Sequence, residues 1–135
     1  MSSSGRELSR RAFVGGVCAA GCLAVAGCAG SSESEPKRSG PLQVPVGDVP
    51  VGGGVVLRAD QVVVTQPEPG VFHAFSAVCT HDGCLVSSID KGLIVCRCHG
   101  SAFSVDDGSV VRSPAQKPLP TRVVEQTGDT LTITT

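Results

Sequence analysis

Two short segments constrain this chain more than anything else in it: Cys79-Thr80-His81-Asp82-Gly83-Cys84 and Cys96-Arg97-Cys98-His99-Gly100-Ser101, with fourteen residues between His81 and Cys96. A Cys/His pair on each of two loops reads as a metal site. Two thiolates and two imidazoles are too few sulfurs for a Cys₄ iron-sulfur site. Zinc also accepts mixed Cys and His ligands, but Cys₂His₂ fingers set two cysteines together and two histidines together, whereas here each Cys is paired with a His. A plain disulfide framework is the other alternative, and it leaves the paired histidines unexplained.

Cys₂ on one iron and His₂ on the other is the ligand mixture of Rieske centres. The two loops, the Gly100-Ser101 that follows the second histidine, and Ser113-Pro114-Ala115-Gln116-Lys117-Pro118-Leu119 together resemble the Rieske 2Fe-2S family. The resemblance implies one 2Fe-2S cluster, with Cys79 and Cys96 holding a buried iron and His81 and His99 holding an outer one. It also implies that Cys84 and Cys98 are bridged to each other. Of the three pairings open to four cysteines, that one leaves both His-partnered thiols for metal. Members with this extra pair resemble the iron-sulfur subunit of respiratory cytochrome bc complexes rather than the ferredoxins of ring-hydroxylating oxygenases.

The start of the chain carries an export address. Ser9-Arg10-Arg11-Ala12-Phe13-Val14 forms a twin-arginine motif, and an uncharged run from Val14 to Gly27 follows it. That run, thinned by Gly15, Gly16 and Gly21, falls short of the roughly 20 apolar residues that span a bilayer. Val25-Ala26-Gly27-Cys28 resembles the cleavage box of bacterial lipoproteins, which makes residues 1–27 a signal peptide and Cys28 the lipidated first residue. Cys18 and Cys22 then read as small apolar filler that processing removes. The twin-arginine route carries folded proteins, which suits a chain whose cluster must be inserted before export. The expected location is the outer face of the bacterial cytoplasmic membrane, where a disulfide persists.

Residues 28–40 lack apolar periodicity and read as a flexible tether. Residues 41–135 read as one small domain. Beyond the signal, eight Lys and Arg face eleven Asp and Glu, a net charge of about −3 that gives no basic footprint for nucleic acid. Valine abounds between frequent Gly and Pro, and no stretch sustains a helical period, so the fold class is all-β. Expected strands are 42–46, 55–58, 61–66, 71–78, 85–88, 93–95, 110–111, 122–126 and 130–134. The family fold implied is an antiparallel β-sandwich with a small cluster-binding subdomain at its tip.

Ser101 stands where relatives offer a hydroxyl to a bridging sulfide. Phe103 stands where many high-potential relatives have Tyr, whose hydroxyl bonds a ligand sulfur; without it a lower-potential donor such as menaquinol is implied. His73 pairs with no Cys and reads as structural. The chain has no room for a pocket with its own acid, base and nucleophile, so turnover is expected only within a complex, as a quinol-cytochrome c oxidoreductase. The leading expectation is therefore the membrane-tethered iron-sulfur subunit of a menaquinol-oxidising cytochrome bc complex, taking electrons from quinol or a redox protein and working beside b- and c-type haem proteins. An independent carrier serving another exported oxidoreductase is the alternative, and a zinc-binding lipoprotein module the remote one.

Overall fold

The computed structural model describes residues 40–134. The twin-arginine motif, Cys18, Cys22, the lipoprotein box with Cys28 and nearly all of the tether lie outside the described residues. Among those described, ten strands form: Leu42–Pro45 (β1), Gly53–Leu57 (β2), Val62–Glu68 (β3), Val71–Ser76 (β4), Ser88–Asp90 (β5), Leu93–Val95 (β6), Ala102–Ser104 (β7), Val110–Arg112 (β8), Thr121–Thr127 (β9) and Thr130–Thr134 (β10). No helix among them is long and apolar enough to cross a membrane.

Six strands make one sheet in the order β1-β10-β9-β4-β3-β2, and four make a smaller one, β5-β6-β7-β8, with antiparallel ladders throughout. The large sheet curls, and its shortest ladder is the one between β4 and β9, which share only the pairs Ala74↔Arg122 and Phe75↔Thr121. The curl encloses Leu42, Val44, Val62, Val64, Ala74, Leu131 and Ile133 in one core. β1 and β10 reach it by strict alternation: Leu42 and Val44, like Leu131 and Ile133, point inward while their neighbours do not.

β3 breaks that alternation. Val62 to Gln66 are buried without a gap, because Val62 and Val64 enter the first core while Val63 enters a second on the opposite face. A strand covered on both faces needs an unbroken apolar run, and three valines supply it. The second core joins Val63 and Phe75 to Val86, Ile94, Phe103, Val105 and Leu119, and the buried Cys79 and Cys96 belong to it. Thr65, buried in the same run, donates its hydroxyl proton to the Val105 carbonyl at 2.8 Å, so its polar atom does not go unpaired. Pro67 lies where the β3–β4 register shifts, between Thr65 and Glu68, as a residue without an N–H requires.

The sheets meet at β2. A Cβ on Gly54 would collide with the Val64 carbonyl oxygen and stand 2.8 Å from Ile89 Cδ1, so glycine is what lets β5 lie against β2.

The all-β reading stands, and most strands fall within a residue or two of expectation. Three details differ. The strand expected at 85–88 begins only at Ser88, because Leu85 makes an isolated bridge to Val78 and the Val86 N–H turns to Ala77 O at 2.8 Å. The strand expected at 71–78 stops at Ser76 for the same reason. Ala102–Ser104, expected as part of a loop, is a strand between β6 and β8.

Gly54→Ala is expected to destabilise the domain by about 1–3 kcal/mol, the usual cost of forcing volume into a packed contact. Urea unfolding should show a lower midpoint with an unchanged slope.

Candidate metal centre

Cys79 and Cys96 open two loops with one backbone design. In the first, the Cys79 N–H donates to Cys84 O at 2.7 Å and the Gly83 N–H to Cys79 O at 3.0 Å; in the second, the Cys96 N–H donates to Ser101 O at 2.8 Å and the Gly100 N–H to Cys96 O at 3.0 Å. In each loop the fifth residue closes the turn with a positive φ, +72° at Gly83 and +86° at Gly100. Both glycines face open space, so conformation rather than crowding selects them. The sequence conceals this match. The histidine lies two residues after the cysteine in one loop and three in the other.

The loops divide their donors by depth. Cys79 and Cys96 are free thiols, buried side by side at 3% and 1% exposure, whereas His81 and His99 are exposed. The two imidazole rings nevertheless meet edge to face, 4.8 Å between centroids, so the loops converge at their tips as well as at their roots. Burial pushes the Cys96 thiol above its ordinary range, opposed by the backbone N–H groups of Cys98 and His99 and reinforced by the adjacent Cys79. Amide donors aimed at a buried sulfur suit a thiolate held by metal. No three His, Cys, Asp or Glu side chains among the described residues converge as a single ion would need. The four donors form a buried sulfur pair and an exposed imidazole pair, which suits a cluster of two irons with different ligands.

Cys84 and Cys98 are bridged, their Cα atoms 6.6 Å apart, tying the end of the first loop to the middle of the second. The Arg97 N–H donates to Ser87 Oγ at 3.1 Å, a second link from the arm after one loop to the tip of the other. A third loop, Ser113 to Leu119, is fastened by one hydroxyl from each. Thr80 Oγ1 donates to Lys117 O at 2.6 Å, and the Ala115 N–H donates to the buried Ser101 Oγ at 3.0 Å. Accepting from Ala115 leaves the Ser101 hydroxyl hydrogen to donate elsewhere. Thr80, Pro114, Gln116, Lys117 and His81 border a groove of about 420 Å³ on the His81 side. Thr80 is the fastening that sequence reasoning missed; a threonine one residue after Cys79 and one before His81 carries no mark of the carbonyl it will reach 37 residues later.

Phe103 is fully buried on β7, in the same core as both free cysteines. His73 sits half-buried on β4, outside the ligand loops, its ring 6.3 Å from that of Phe75.

Residues 32–123 match the family model described as Rieske [2Fe-2S] domain. The chain belongs to the Rieske family. Its cofactor is accordingly a Rieske 2Fe-2S cluster, and electron transfer its role. The chain is 38% identical over 77 residues to the cytochrome b6-f complex iron-sulfur subunit of Chlorobaculum tepidum, a match covering 56% of this chain and 42% of that subunit. The matched part thus spans under half of that relative. The cyanobacterial plasma membrane Rieske protein of Synechocystis PCC 6803 superposes with a TM-score of 0.52 at 31% identity, over 62% of this chain and 87% of that one. A ferredoxin of Sphingomonas yanoikuyae B1 shares the fold, with a TM-score of 0.57 at 23% identity over 70% of this chain and 98% of that one.

Replacing Cys84 or Cys98 with Ser is expected to leave a Rieske domain that still folds but is less stable. Releasing a bridge across a separation of 14 residues costs about 3 kcal/mol in the chain-entropy model. Thiol titration of denatured, unreduced, cluster-free residues 40–134 should find Cys79 and Cys96 reactive and the other two protected.

Proposed function

We infer that this Rieske domain is an extracytoplasmic, lipid-tethered electron carrier, with Cys79 and Cys96 holding one iron and His81 and His99 the other. The observation that carries the ligand assignment is the split of depth: two adjacent buried thiols beneath two exposed, touching imidazoles. When bound, the cluster supplies one-electron chemistry at that boundary. The protein's part is to keep water from the sulfurs, hold the rings at the surface as an electron port, and offer hydrogen bonds from the Cys98 and His99 amides and the Ser101 hydroxyl. Such donors raise a cluster's potential by stabilising its more negative, reduced state.

The leading assignment is the iron-sulfur subunit of a menaquinol-oxidising cytochrome bc complex, partnered by b- and c-type haem proteins and anchored through Cys28. The 38% identity to a cytochrome b6-f subunit and the Cys84–Cys98 bridge support it. The alternative is an independent carrier for another exported oxidoreductase, favoured by the likeness to a plasma membrane Rieske protein of which the domain covers 87%. Purification from mildly solubilised membranes separates the two. A co-purifying b-type haem protein means a complex subunit, and its absence beside a Rieske protein whose N-terminus is a lipid-modified Cys28 means a carrier.

Replacing either His81 or His99 with Ala is expected to abolish the rhombic Rieske paramagnetic resonance signal, and full retention in either variant would overturn the ligand set.

Phe103 bears on the donor. With no hydroxyl to bond a cysteine sulfur, it lowers the potential and suits menaquinol. Phe103→Tyr is expected to raise the midpoint potential by about 40 mV in protein-film voltammetry, the one-electron equivalent of a hydrogen bond worth about 1 kcal/mol. No change, or a fall, would remove the main support for the menaquinol assignment.

A further inference from the structure

The two ligand loops stand on different footings. The second rises directly from β6 and returns directly into β7, strands that pair with each other in the small sheet. The first stands on a stem of three rungs: the Val86 N–H donates to Ala77 O at 2.8 Å, Val78 and Leu85 make an isolated bridge, and the Cys79 N–H donates to Cys84 O at 2.7 Å. None of these six residues belongs to a strand of either sheet. The foot of the stem is held instead from the side, by the turn that joins β2 to β3.

That turn, Arg58 to Gln61, grips both arms. Gln61 O accepts the Ala77 N–H at 2.8 Å, and Arg58 Nη2 donates to Val86 O at 3.4 Å. The turn closes on itself through the Gln61 N–H, which donates to Arg58 O at 3.3 Å. Four hydrogen bonds thus run in a ring, from Arg58 to Val86, Ala77 and Gln61 and back to Arg58. Ala77 and Val86 are fully buried, so the ring ties an exposed turn to the core beneath Cys79. Gln61 holds its place in the ring at φ +55°, a left-handed conformation that a residue other than glycine adopts at a cost. Backbone strain of this kind persists where the surroundings over-determine it, and it gathers at functional sites. Arg58 supplies the one side-chain donor of the ring, and so the one member that a substitution removes without touching the backbone.

We propose that Arg58 is a positioning residue for the metal centre: by closing this ring it sets the angle of the first stem, and with it the direction of Cys79 toward Cys96 and of His81 toward His99. The inference rests on the electron-carrier reading with those four ligands and goes beyond it, since Arg58 lies outside all three loops.

The test uses the cluster-loaded protein. Arg58→Met keeps an aliphatic stem and removes the donor. Gln61→Val attacks the same ring from the opposite side, because a β-branched residue resists a positive φ. Each is expected to shift the outer g values of the rhombic Rieske paramagnetic resonance signal, which report ligand geometry at the cluster. Each should also speed hydrogen exchange in the peptide spanning residues 76–88 about fivefold, while the peptide spanning residues 121–134 exchanges as before. Lys91→Met, which removes an exposed cation from the β5–β6 turn, should change neither. Unshifted g values in Arg58→Met would overturn the proposal, because a role confined to stability speeds exchange without moving the signal. Exchange that rises equally in both peptides would overturn it as well, and so would a shift as large in Lys91→Met, which would report charge and not the ring. A missing Rieske signal in the unmutated protein would instead strike at the electron-carrier reading itself.

Discussion

Two thiols must be buried side by side while two imidazoles, two or three residues further along the chain, stay in water. The site depends on meeting that demand. An apolar core alone would expel the charge that metal-bound sulfur carries. The loops answer with backbone amides: each turn is closed by its own N–H groups, and those of Cys98 and His99 remain for the Cys96 sulfur. Beneath them Phe75, Val86, Ile94 and Phe103 exclude water. Above them the chain turns sharply, with glycine at the one position where φ must be positive, and the histidine emerges at the surface.

The braces follow from the same demand. Two loops that meet only through a metal would separate whenever it left. The Cys84–Cys98 bridge, the Arg97–Ser87 hydrogen bond and the two hydroxyls that clasp the third loop all join segments distant in sequence. Only the Ser101 hydroxyl is fully buried. Of the two clasps it is the one for which an unmet partner would be costly, since the Ala115 N–H has no water to turn to.

The site was far more legible in the sequence than the strands that carry it. Cys, His and Gly at fixed spacings announce chemistry wherever they fall, and the Rieske resemblance followed from them. β7 left no such mark, because Ala102-Phe103-Ser104 is short, follows a ligand loop directly and becomes a strand only by inserting between β6 and β8. The limits of 71–78 and 85–88 failed for a related reason. Val78 and Leu85 are β-formers that face each other in an isolated bridge, so local preference was right and the ladder ended elsewhere. The shared frame of the two ligand loops was hidden because backbone geometry repeats while the histidine shifts by one position. Thr80 and Ala115 are ordinary residues whose roles exist only once the third loop has folded back.

The two cores divide the labour between scaffold and site. β3 and β4 serve both, sending Val62, Val64 and Ala74 to one side and Val63 and Phe75 to the other. The first core contains no metal donor. It closes on itself through β1, β9 and β10, so its burial is complete without the cluster. The second core takes Cys79 and Cys96 into its packing and shares strands β2, β3 and β4 with the first, and the small sheet meets the large one over β2, where Gly54 admits Ile89. Change at the three loops can therefore proceed without unmaking the scaffold. Phe103 sits on the site's side of this boundary, in the core that holds both free cysteines and outside the one the curled sheet encloses.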